Sequence, residues 1–317
     1  MSSAPEAEPG YQPFAAITLK LASIALFVGM QAFIKLAGQL PTGQIAFFRS
    51  FFALIPILMM LAWRKQLAGA FHTMRPWGHA YRGFVGVMAM MASFFALTRL
   101  PLPEAIMLNY AQPLLVIVLS ALLLGEQVRV FRWTAVAVGF VGVFIIIWPT
   151  LTLFRSAEGI GSAAGLGVLA ALLGAAISAV AMMQVRSLVA TEKTTTIVIY
   201  FSITSSLVGL LTIPFGWPPL TAWQAAFLIL CGFCGGVAQI FMTEAYRYGS
   251  AATVAPFEYS SILMGSVAGY FLFGDLPTVH SVVGGAIIVA TGLFIIWREH
   301  QLGLERVKAR EATPPAG

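Results

Sequence analysis

The sequence predicts an all-α integral membrane protein whose ten transmembrane helices form two inverted five-helix repeats. Three observations predict it. The 317 residues are 59% hydrophobic and only 9% charged, where soluble domains carry about 25% charge. The apolar runs are about 20 residues long, the length a helix needs to cross ~30 Å of hydrocarbon. Sliding the chain by 149 residues lays 83–125 on 232–274 without a gap, and ten positions coincide, among them Gly83/Gly232, Gly86/Gly235, Tyr110/Tyr259 and Gly125/Gly274. The composition excludes a soluble globular domain and a disordered chain. The run length argues against a transmembrane β-barrel, whose strands need ~10 residues of alternating polarity.

Each span follows from an apolar run bounded by turn chemistry. The first reads 15–36 and ends before Gly38 and Pro41; the second reads 43–63. The longest loop, Arg64 to Ala80, precedes the third at 80–98, and Pro101 and Pro103 separate it from the fourth at 104–124. The fifth, 133–149, closes at Pro149, and Gly159–Gly161 precede the sixth at 163–185. The seventh, 195–215, is followed by Gly216–Pro219, and the eighth, 223–245, by Tyr248–Gly249–Ser250. The ninth, 251–273, stops at Gly274–Pro277, and the tenth is 278–297.

Lys/Arg bias sets orientation. With the N-terminus inside, the inner segments hold thirteen basic residues, Arg82 among them, and the outer ones hold Arg99 and Arg155. Both termini are therefore expected in the cytoplasm, as an even number of spans requires. The formal charge of +6 reflects this topology and implies no nucleic acid partner. The expected organisation is a disordered cytoplasmic tail (1–14), a first repeat (15–149), a periplasmic linker (150–162), a second repeat (163–298) and a cytoplasmic tail (299–317). Five spans per repeat set the halves in opposite orientations, an arrangement found in secondary transporters with substrate held near the midplane.

Phe47-Phe48-Arg49-Ser50 early in the second span, Leu124-Gly125-Glu126 closing the fourth and Phe273-Gly274-Asp275 closing the ninth resemble the drug/metabolite transporter superfamily, in its EamA-type members. So do ten spans arranged five plus five. The resemblance covers residues 15–298. It implies a central cavity between the halves, in a family that moves amino acids, S-adenosylmethionine, riboflavin, nucleotide sugars, purines and drugs. Pro256-Phe257-Glu258-Tyr259 looks like bacterial metabolite transporters of that family.

An ionisable residue inside a span costs at least ~2.5 kcal/mol to insert, so each is a candidate for function. Arg49 suits a substrate carboxylate or phosphate; its bland alternative is a structural arginine capping carbonyls. Glu258 suits proton coupling or a cationic substrate group, with a structurally paired carboxylate as the alternative. Depth counting along the helices puts these two near opposite faces. Asn109 and Tyr110 are the repeat-mates of Glu258 and Tyr259, and the rings suit a planar substrate or plain interhelical packing. Gln239 lies deep in the eighth span and is a further cavity candidate. Lys35 is expected to snorkel toward the outer surface. Gln112-Pro113 and Pro256 read as kinks.

Catalytic motifs are missing from the sequence. There is no phosphate-binding P-loop and no H-E-x-x-H, the four His residues are dispersed, and Cys231-x-x-Cys234 sits in an apolar span. The expectation is a non-enzymatic transporter of a bacterial inner membrane, without cofactor or metal, monomeric or homodimeric in the lipid bilayer. It moves a small polar metabolite (an amino acid, S-adenosylmethionine or a riboflavin-like molecule) by alternating access, with proton coupling through Glu258. The alternative is a multidrug or aromatic-compound exporter; a membrane enzyme or assembly subunit is the weaker third reading.

Overall fold

A computed structural model describes residues 12–125, 128–153, 163–249 and 251–311. Helices α1 (Pro13–Leu36), α2 (Thr42–Trp63) and α4 (Pro76–Leu97) form the first three spans, with the short α3 (Leu67–Ala70) in the long loop. The fourth span is divided into α5 (Leu102–Asn109) and α6 (Ala111–Leu124), and α7 (Val130–Leu153) is the fifth. Then come α8 (Ala163–Val189), α9 (Thr194–Leu210) and α10 (Ala222–Tyr248). The ninth span is built from α11 (Ala251–Val254), a 3-10 stretch (Ala255–Tyr259) and α12 (Ser260–Phe273), and α13 (Val279–Glu311) is the tenth. Among the described residues there is no strand, and nine spans, the divided fourth counted as one, are long and apolar enough to cross a membrane. The tenth, 251–273, is apolar but broken.

The 149-residue repeat extends to the element boundaries. Residues 102, 111 and 130 open α5, α6 and α7; their mates 251, 260 and 279 open α11, α12 and α13. Both broken spans turn at mated tyrosines, Tyr110 (φ −71°, ψ −4°) and Tyr259 (φ −66°, ψ −13°). Both end on a mated glycine in the left-handed region, Gly125 at φ 63° and Gly274 at φ 70°. That conformation costs a residue with a Cβ free energy but suits glycine, so it ends the helix. The packing is paired likewise: α1 lies on α10 as α8 lies on α4, and α2 meets its mate α9 as α7 meets α13. Where α7 crosses α13, a Cβ on Gly142 would stand 2.8 Å from the Gly284 carbonyl oxygen. Bare glycine is what lets two spanning backbones approach this closely.

Two differences from the expected spans bear on function. Arg82, counted with the inner loops, lies inside α4. The last helix runs to Glu311, past the expected end at 297. Glu126 and Arg155 lie outside the described residues. Gln12 N–H donates to the Tyr248 carbonyl (2.9 Å), and Arg132, near the start of α7, pairs with Glu299 of α13 (2.5 Å). The two ends of the described chain therefore share one end of the bundle. There the loop carboxylate Glu192 accepts from Thr73 Oγ1 (2.8 Å) and from the Met74 and Arg75 amides. Burial works to raise its pKa, but these donors and the adjacent His79 ring hold it below the ordinary value.

Candidate functional site

The two broken spans meet α1, α8 and α10 around a cavity of about 500 Å³, within the size range of small-molecule sites. Its polar lining comes from Gln31 of α1, Asn109 and Tyr110 at the break in the fourth span, Gln112, Tyr246 of α10, and Glu258 and Ser261 at the break in the ninth. Apolar faces come from Ile24, Phe27, Val28, Ile106 and Met242. The breaks have a local cause. Pro113 and Pro256 carry no N–H and cannot continue the α-helical ladder behind them. Polar side chains at these turns line a cavity, where an interrupted helix is tolerated.

The repeat-mates come together at the centre. Tyr110 and Tyr259 stack with ring centroids 5.1 Å apart and planes at 25°. Tyr110 Oη donates to the Glu258 carbonyl at 2.6 Å and shares a hydrogen bond of the same length with Ser261 Oγ. This ties the turn of one half to the turn of the other. The Glu258 carboxylate forms an ion pair with Lys20 of α1. The lysine is 1% exposed and the glutamate side chain 46% exposed, so the carboxylate is the accessible partner. The Lys20 ammonium also lies 5.6 Å from the Tyr246 ring centroid. A buried lysine without an acceptor would be costly; the pair makes both charges tolerable.

At the opposite end of α1, Lys35 does not snorkel. It pairs with Asp275 at 2.5 Å and donates to the Leu100 carbonyl at 3.0 Å. Asp275 also accepts from the Leu102 amide at 3.1 Å, and Glu104 accepts from Ser281 Oγ at 3.0 Å. Paired acceptors beside the lysine remove the reason to reach for water. This clasp joins the end of α1, the start of the fourth span and the end of the ninth.

Four of the six site residues read from the sequence thus gather in one place: Asn109, Tyr110 and Glu258 line the cavity and Tyr259 stacks behind Tyr110. Arg49 and Gln239 do not join them; they line a separate space between α2, α4, α9 and α10. The phenylalanines flanking Arg49 in sequence stack on one another, Phe47 on Phe51 and Phe48 on Phe52. The guanidinium instead faces the Phe201 ring at 6.0 Å. Two residues escaped the sequence reading. Lys20 is an in-span lysine, the same signal that marked Glu258, and Arg82, only two residues into a span read as starting at 80, was counted with the inner loop although the helix starts at Pro76.

The chain is 33% identical over 296 residues to a riboflavin transporter of Rhizobium johnstonii, covering 92% of this chain and 94% of that protein. It is 28% identical over 266 residues to an S-adenosylmethionine uptake transporter of Rickettsia prowazekii (83% and 86% covered). It is 30% identical over 275 residues to the pseudopaline exporter CntI of Pseudomonas aeruginosa (85% and 91% covered). A crystal structure of a protein 20% identical in sequence superposes with a TM-score of 0.61, covering 91% of this chain and 99% of its own, a likeness of fold. The EamA-like transporter family matches twice, at residues 14–148 and 165–298. On these matches, and on the ten apolar spans, the chain belongs to the EamA-like transporter family and is a multi-pass membrane transporter.

Proposed function

We propose that this transporter carries a planar, uncharged, hydrogen-bonding metabolite of the riboflavin type across a bacterial inner membrane. In this reading the two halves are oppositely oriented, alternate access around the 500 Å³ cavity, and leave both termini in the cytoplasm. One observation carries the substrate class: the only carboxylate among the cavity's lining residues, Glu258, is matched by Lys20. The lining then offers amides, phenols and ring faces but no spare charge. A planar heterocycle can slide against the Tyr110 face and use Gln31, Asn109 and Gln112 for its ring heteroatoms. A sulfonium or ammonium cargo has first to separate an ion pair. The kinship with a riboflavin transporter points the same way, while the relatives named for S-adenosylmethionine keep that cargo as the alternative. A multidrug pocket would need less of this polarity.

Coupling is assigned to Glu258 in the same reading. Proton uptake there strips Lys20 of its partner, linking protonation to separation of α1 from the ninth span. The test is uptake of labelled riboflavin into proteoliposomes, with S-adenosylmethionine and tryptophan as competitors. Saturable uptake, blocked by unlabelled flavin and weakened roughly fivefold by Asn109→Ala, as loss of about 1 kcal/mol of hydrogen bonding requires, supports the proposal. Uptake of S-adenosylmethionine with riboflavin inert refutes it. A Glu258→Gln protein that kept its full pH dependence would remove the coupling assignment.

A further inference from the structure

A second cavity, of about 90 Å³, shares no lining residue with the first. Arg49 from α2 and Arg82 from α4 line it, with Phe201, Ser202, Gly235 and Gln239. The guanidinium carbons lie 6.0 Å and 4.5 Å from the Phe201 ring centroid. No Asp or Glu lines this space. Arg49 Nε and Arg82 Nε and Nη1 are shielded from solvent and have no hydrogen-bond partner among the described residues. Of the repeat-mated glycines, Gly86 makes room for a guanidinium, while a Cβ on Gly235 would only touch one at van der Waals distance. A Cβ on Gly235 would stand 3.4 Å from Arg49 Nε, and one on Gly86 would run into Arg82 Nη1. The arginines themselves have no basic mates: the second half carries Val198 and Cys231 in their places.

Two guanidiniums in one pocket repel each other, and their shielded Nε and Nη1 atoms have given up hydration; interiors tolerate this only with a counter-charge and acceptors for the N–H groups. The Phe201 face supplies part of the attraction but accepts no conventional hydrogen bond. What the pocket lacks is an anionic acceptor. The geometry points to a compact inorganic anion, the size of phosphate or chloride, held between Arg49 and Arg82 with the Ser202 hydroxyl and the Gln239 amide beside it. Size decides against the transported molecule: 90 Å³ admits an ion of a few heavy atoms and shuts out a flavin or an adenosyl group. Access is separate too. An adjoining chamber of about 230 Å³ shares Ile57, Val198 and Gln239 with the pocket and extends to Arg64, Glu244 and Arg247 at the end of the bundle that holds the termini.

The test uses the full chain purified in detergent against a background of gluconate, too bulky for the pocket. The melting temperature is followed as sodium phosphate or sodium chloride replaces gluconate at constant ionic strength. The expected result is a saturable rise with one of the two ions, which identifies it. Arg82→Gln should weaken the apparent affinity at least about tenfold, since a charge-assisted hydrogen bond is worth a decade or more. Ser202→Asp places a carboxylate beside both guanidiniums and should give a folded protein whose melting temperature no longer responds. If Arg82→Gln fails to fold, Ser202→Asp decides alone. A response linear in both salts, or a saturable one unchanged in these variants, overturns the site. Either outcome is independent of riboflavin uptake.

Discussion

Replacing Lys20 with methionine should convert the cavity from neutral to anionic and change what it holds. Met keeps much of the volume of the lysine stem but removes the charge that matches Glu258. The carboxylate is the exposed member of the pair, so it faces the cargo once the lysine is gone. A cationic group about 5 Å from it, at an effective dielectric constant of about 20, gains roughly 3 kcal/mol. Half exposure of the glutamate screens that gain, leaving about 1.5 kcal/mol, or roughly tenfold in affinity. The assay is competition against labelled riboflavin in proteoliposomes, comparing a flavin with S-adenosylmethionine. Lys20→Met should shift the ratio of their inhibition constants about tenfold toward the cation. Lys20→Met combined with Glu258→Gln, neutral again, should return it. An unchanged ratio in the single variant would mean that the ion pair does not set the charge seen by the substrate.

Further outcomes follow from other contacts. Tyr110→Phe keeps the stack with Tyr259 but deletes the 2.6 Å bonds to the Glu258 carbonyl and Ser261. Stability measured by chemical denaturation should fall by about 1 kcal/mol, because water in the cavity can replace part of what is lost. Glu192→Gln should lower the melting temperature at neutral pH. The folded carboxyl titrates below its ordinary 4.5, so its stabilisation is present above that value and fades as pH falls below it. The gap between wild type and variant should therefore close in acid. A double-mutant cycle on Lys35→Met and Asp275→Asn should give a coupling of about 1–2 kcal/mol, since both side chains are mostly buried. Additive effects would show that the clasp does not hold the end of α1.

The spans and the repeat were legible in the sequence because hydropathy and glycine spacing are local signals. Gly125 and Gly274 stop two helices for the same backbone reason, and the chain shows them 149 residues apart. Asn109, Tyr110, Glu258 and Tyr259 were legible as a group because the repeat mates them. The partners of charge were not. Lys20 lies 238 residues from Glu258, and nothing in either neighbourhood records the pairing. Depth counting set Arg49 and Glu258 far apart along the membrane normal but could not tell which helix face each occupies. The facing helices sort them: α9 and α10 bound one cavity wall with Arg49, while α1 and the turn in the ninth span bound the other with Glu258. Arg82 was assigned to the loop because a span start placed one helical turn late left it two residues from the inner end.

The last helix offers a practical handle. Its 33 residues, Val279–Glu311, rise about 50 Å at 1.5 Å per residue, against ~30 Å of hydrocarbon. About 20 Å of continuous rod therefore projects past the bilayer core, beyond the Arg132–Glu299 contact that steadies its base. A helical fusion partner joined in register to that rod would be carried at a fixed angle and distance from the membrane. A protein of this size has little mass outside lipid for image alignment, and such a rigid marker would supply it.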